Sequence, residues 1–148
     1  MKKFIFTITV ITLCLLSGCT QNDGHIGPIF GSWSLVGITE DGVPIDTGDE
    51  TVFSFQNEVV KVVRLVDPPY STVTKFGNFT LSNDMLTLKF QVGPTPSDNY
   101  MYMAPDWLYF PKGETIIHLG INKLNGSEME LTLDNGEKTL GYTFRKTW

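Results

Sequence analysis

From residue 31 onward, apolar side chains recur at every second position. This is the period of a strand with one buried face, not of a helix. Segment 31–39 carries Trp33 and Leu35 on one face, and 51–56 carries Phe53 and Phe55. Valines crowd 58–66, 72–81 alternates Gly77, Phe79 and Leu81, and 85–90 alternates Leu86, Leu88 and Phe90. Further alternating runs at 115–124, 129–133 and 139–146 bring Leu119, Leu131, Tyr142 and Phe144 to the same inner face. The gaps hold turn residues: Gln56-Asn57, Asn83-Asp84, Asn125-Gly126 and Asn135-Gly136. Asn and Gly tolerate the positive φ that tight hairpins require. Asp67-Pro68-Pro69 stops the valine strand, because proline offers no N–H to a ladder. The expectation is an all-β fold, an eight-stranded antiparallel up-and-down meander. One apolar face lets it close into a barrel without exposed edges. A two-sheet β-sandwich is the alternative.

The first residues break this period. Lys2 and Lys3 precede an apolar run, 4–16, interrupted only by threonines. A spanning helix needs about 20 apolar residues, so the run fits the hydrophobic region of a secretory signal. It ends in Leu16-Ser17-Gly18-Cys19, which resembles the lipobox of bacterial lipoprotein signal peptides. The resemblance implies cleavage before Cys19 and lipid on its thiol, with two or three acyl chains. More than one chain makes anchoring stable. The polar, Gly-rich stretch that follows, including His25, reads as a tether. The expected organisation is a signal peptide at 1–18, lipidated cysteine and tether at 19–29, and a barrel at 30–148. Thr20 after the cysteine, where aspartate signals inner-membrane retention in enterobacteria, favours the outer membrane, on its periplasmic face or the cell surface.

Gly31-Ser32-Trp33 resembles the Gly-x-Trp that opens the first strand of lipocalins. In that family the glycine permits a kinked entry and the tryptophan plugs the closed end of the barrel. A basic residue of the last strand stacks on the tryptophan, a role that the resemblance gives to Arg145. The layout of 30–148 is similar to small lipocalin-like lipoproteins of Bacteroidetes. Shared elements are 77–81 running into 85–88, Met129-Glu130-Leu131, and the terminal Tyr142-Thr143-Phe144-Arg145. The Thr-Asp-Tyr motif and disulfide of true lipocalins are missing from the sequence.

Charge and cysteine content narrow the chemistry. The chain holds 11 Lys+Arg against 16 Asp+Glu, a net charge of −5, and loss of Lys2 and Lys3 deepens it. Such a surface repels phosphates, which argues against a nucleic-acid partner. Cys14 leaves with the signal and Cys19 is acylated, so no thiol remains for a disulfide, a zinc site or a nucleophile. The acidic loop from Asp41 to Glu50 lacks the spacing of a calcium loop. His118 alternates with inward Ile117 and Leu119 and faces outward without a companion ligand. Glu128 and Glu130 lie about 6–7 Å apart along one strand face, but Met129, Leu131 and Leu133 claim the inner side. No catalytic residues, metal site or cofactor motif is expected, and the chain is not read as an enzyme.

The unusual segment is 100–111, Tyr-Met-Tyr-Met-Ala-Pro-Asp-Trp-Leu-Tyr-Phe-Pro, apolar where a polar loop is expected. Aromatics and Met suit adaptable apolar contacts. The segment is either a plug, with Trp107 and Leu108 completing the core, or a flap over a ligand. An eight-stranded barrel can be filled by its side chains or hold one small ligand. The functional expectation is a membrane-anchored binding protein that takes a small apolar ligand in the barrel mouth. Phe53, Phe55, Tyr100, Tyr102, Trp107 and Tyr109 would form that site. The rival is a non-enzymatic adaptor, inhibitor or subunit that offers 100–111 to an envelope protein.

Overall fold

The computed structural model describes residues 27–66, 71–91 and 100–147. The expected signal peptide, Cys19 and most of the expected tether lie outside the described residues. Among those described, no helix is long and apolar enough to cross a membrane.

The strands are β1 (Gly31–Glu40), β2 (Val43–Ile45), β3 (Glu50–Gln56), β4 (Val59–Val66), β5 (Ser71–Ser82), β6 (Met85–Lys89), β7 (Ile116–Leu124), β8 (Glu128–Asp134) and β9 (Thr139–Lys146). Every neighbouring pair is antiparallel, and β9 pairs with β1 to close the sheet. Closure excludes the sandwich and establishes the barrel expected from the alternation. The segments occupy eight positions, because β2 and β3 pair with the same edge of β1 as one interrupted strand. The interruption is the excursion 46–49. Thus β2 and β3 lie at the two ends of what the sequence reading treated as one acidic loop.

Turn chemistry works by two routes. Asp41-Gly42 has both residues at positive φ, 50° and 82°, and Asn57 and Asn83 take the same region. At the other two hairpins the asparagine acts through its side chain. Asn125 Oδ1 accepts from the Ser127 and Glu128 amides, and Asn135 Oδ1 from those of Glu137 and Lys138. These are Asx turns, in which the carboxamide mimics a backbone acceptor.

All nine residues expected on the inner face (Phe53, Phe55, Phe79, Leu86, Leu88, Leu119, Leu131, Tyr142, Phe144) are buried. A bulge between Leu35 and Gly37 shifts the phase of β1, so Leu35 and Ile38 both point inward. The turns at 57–58, 83–84 and 125–127 share one end of the barrel with residues 27–30, here called the lower end. Residues 104–110, between β6 and β7, lie at the upper end.

Trp33 closes the lower end, with 0% exposure. Its indole Nε1 donates to the Ile29 carbonyl at 2.7 Å. Ile29 is itself buried, so the packed domain includes this last residue of the expected tether. Gly31 sits at φ 110°, a value L side chains rarely adopt, and turns the chain into β1. The cation over the tryptophan is Lys146, whose Nζ lies 4.9 Å from the ring centroid, not Arg145. Alternation explains the correction: Tyr142, Phe144 and Lys146 share the inner parity of β9, while Arg145 is exposed. Lys146 Nζ also donates to the Pro28 carbonyl at 2.8 Å.

Candidate functional site

The lower half of the barrel is filled. Phe53 meets Phe55 and Phe144, and Phe55 meets Phe79, with ring centroids 5.0–6.1 Å apart. Such pairs add to the burial of their area. Phe53 and Phe55 therefore lie in packed core, with Phe53 the higher of the two.

The upper half differs in chemistry. Continuing the inner face of β3 above Phe53 gives Thr51, buried, and directly opposite it on β4 stands Arg64. On β5 the parity of Gly77 and Phe79 places Lys75 inside, 2% exposed and opposite Val62. Lys75 is diagonal to Arg64, a relation that puts backbones about 7–8 Å apart. Three polar side chains from adjacent strands thus enter one side of the upper barrel. Burial pushes the Lys75 ammonium below the usual lysine pKa, while the Asp106 carboxylate pulls it back up. Arg64 holds Asp49 through Nη2 at 2.6 Å and Nε at 2.8 Å.

The cover over this layer is the segment 104–110. Pro105, Leu108 and Phe110 are buried, and a 3₁₀ turn, Asp106–Leu108, brings Trp107 onto the polar residues while Asp106 itself is exposed. Trp107 Nε1 donates to Thr51 Oγ1 at 3.2 Å, and the Arg64 guanidinium lies 5.6 Å from the indole centroid. The Tyr142 hydroxyl, rising from the core, donates to the Leu108 carbonyl at 2.7 Å. Tyr109 is in the left-handed region at φ 59° and its hydroxyl donates to the Asp46 carbonyl at 3.2 Å. The cover is therefore anchored by buried Pro105, Leu108 and Phe110, the last with its ring 5.9 Å from that of Tyr142, and by hydrogen bonds to strand side chains and to the 46–49 excursion.

The expected site residues do not converge. Trp107 faces the polar layer and Phe53 lies below it. Tyr109 is half exposed at the rim. Tyr102 lies outside the wall, where its ring meets Phe76 at 6.4 Å and helps form a groove of about 290 Å³ with Val59, Asn78 and Gln91. The Tyr100 side chain lies outside the described residues. Met101 and Met103 are exposed. A second recess, about 320 Å³, opens between upper β7 and β8 beside Ile116, His118 and Asp134. There His118 Nδ1 pairs with Thr87 Oγ1 at 3.1 Å on the outer face. Glu128 and Glu130 are also outside, near Lys123. No group of three or more potential metal ligands occurs among the described residues.

Lys75, Arg64 and Thr51 were absent from the expected set. The signal existed, since the alternation that places Gly77 and Phe79 inside also places Lys75 there.

No protein-family model matches the chain, and no curated protein matches its sequence. Solved structures do share the barrel. A lipocalin-like protein from Bacteroides uniformis superposes with a TM-score of 0.62 at 21% identity, over 81% of this chain and 99% of that one. An uncharacterized protein from Bacteroides eggerthii gives 0.57 at 15% identity, over 80% and 98%. The chain thus has a lipocalin-like fold.

Proposed function

We propose that this chain is a lipid-anchored binding protein of the bacterial envelope, non-enzymatic, that takes a small ligand into the upper barrel beneath 104–110. The observation that carries the reading is a polar layer above an apolar core, made of buried Thr51 and Lys75 with partly exposed Arg64 beside them. Buried charge is expensive unless paired, and a barrel kept only for its shape is better served by apolar side chains there. The lipocalin-like fold supports small-ligand binding by analogy. The ligand's apolar part would rest against Phe53 and Trp107. Anchoring through Cys19, at the outer membrane, rests on the lipobox-like leader.

Native mass spectrometry of residues 20–148, repeated after denaturing extraction, tests the reading. A co-purified small molecule, or an apolar dye displaced by lipids, is the expected result. An empty barrel that takes up no probe would overturn it. The exposure of Met101, Tyr102 and Met103 beside the outer groove favours a second reading, a protein-facing patch, which pull-down from envelope extracts would then address.

A further inference from the structure

We infer that the barrel rests on the bilayer by its lower rim, with the acidic upper end turned toward water. This goes beyond the ligand reading and rests on the anchoring through Cys19 proposed above. From Cys19 to Ile29 the chain runs ten residues, a span of at most about 35 Å at full extension. The far end of that run is fixed to the lower end of the barrel. Ile29 is buried, its carbonyl accepts from the Trp33 indole, and the Pro28 carbonyl accepts from Lys146. The anchor thus brings lipid to the lower rim, and the rim is apolar where the β5–β6 hairpin meets it. Leu81 and Met85 flank the turn at 83–84 and are 42% and 40% exposed. Half-buried Phe30 packs its ring 6.1 Å from that of Phe79 on the same hairpin. Val59, beside the neighbouring turn at 57–58, is exposed as well. Apolar side chains gathered in the open at one rim mark a surface that meets another apolar phase.

Charge divides the barrel in the same direction. Among the described residues, 40–50, 104–115 and 134–138, together with Arg64 and Lys75, make up the charge of the upper end. They hold nine acids against four bases, a net −5. The other described residues hold four acids against five bases, a net +1. A bilayer with anionic headgroups repels the acidic end and lets the nearly neutral rim approach. The short connection also keeps the rim beside lipid at an effective concentration that a freely diffusing partner does not reach. Docked this way, the cover 104–110 faces the aqueous phase.

The test uses the full chain, lipidated on Cys19, in vesicles of phosphatidylethanolamine and phosphatidylglycerol. With Cys19 acylated, an introduced cysteine is the thiol that takes a label. A fluorophore is placed at Ser82→Cys on the rim or at Glu137→Cys on an upper turn, both exposed positions. Nitroxide-bearing lipid then reports how near each label lies to the bilayer. Quenching at the rim should be several-fold stronger than at the upper turn. Leu81→Asp with Met85→Asp should remove that difference while the chain still floats with the vesicles and keeps its circular dichroism. Equal quenching at the two positions in a floating chain, or a rim signal that survives both aspartates, would overturn the inference and leave the anchoring standing. A chain that does not float with vesicles would overturn the anchoring itself, and the docking with it.

Discussion

At the lower end of the barrel, closure is made of rings: Trp33 at the centre, Phe53, Phe55, Phe79 and Phe144 around it, and Lys146 across the outside. At the upper end, closure is made of a short irregular segment over an alcohol, a guanidinium and an ammonium. The lower end is held by contacts that add up over area, and it can open only by unfolding. The upper end combines the buried side chains of Leu108 and Phe110 with a handful of directional contacts. The two ends of one short cylinder thus differ in how they are closed, one mainly by packed area and the other by packed area and directed bonds together.

The sharpest way to break this contrast is to remove a tryptophan from each end. Trp33→Ala should cost about 3–5 kcal/mol of unfolding free energy, as expected of a large ring deleted from a core. Trp107→Ala should cost about 1–2 kcal/mol, the worth of a half-buried ring and one hydrogen bond. Urea titration followed by far-UV circular dichroism gives both. Equal losses would mean that the cover is as much a part of the core as the floor.

Next in size is the bond that joins the two halves. Tyr142→Phe leaves the Leu108 carbonyl without its donor and should cost about 1–2 kcal/mol. It should also change the response to alkali. Burial holds the Tyr142 phenol well above its ordinary pKa of 10.0, so the folded state keeps the proton while the unfolded chain gives it up. Stability from this group is complete below pH 10 and falls as pH rises beyond it. The variant should lose stability less steeply between pH 10 and 12. Lys75 titrates in the opposite sense in both chains, so its contribution cancels in the comparison.

The smallest effect separates two neighbours on β9. Lys146→Met should cost about 0.5–1 kcal/mol through the lost cation–π contact, and Arg145→Met should stay within about 0.5 kcal/mol, as an exposed position does. The reverse order would restore to Arg145 the role that the sequence resemblance assigned to it.

How much of this was legible beforehand depends on range. Strand existence was readable because a period of two is local, and each of the eight long strands falls within a residue or so of its expected bounds. The nine inner residues followed from the same period. Val43–Ile45 was missed because its three residues, one of them proline, sit among acidic and glycine positions, and only pairing with β1 makes them a strand. Ile29 was missed because a lone apolar residue in polar sequence shows no period. Lys75 was overlooked for a different reason: a charged residue in a strand is read as surface, although the parity of Gly77 and Phe79 places it inside. The convergence of the upper site is tertiary, so no local pattern announces it.

One detail of the ladder bears on how such chains diversify. β6 ends at Lys89 and β7 begins at Ile116, and these two residues are partners on the same rung. The next contact, Phe90 amide to Thr115 carbonyl at 2.7 Å, ties the junction once more. The chain departs from the wall after Phe90 and rejoins it at Thr115. A longer or shorter insert there alters no other rung, and doubling its length adds only about 0.6 kcal/mol of closure entropy. The covering segment can in that sense change length while the rungs of the cylinder that carries it keep their register.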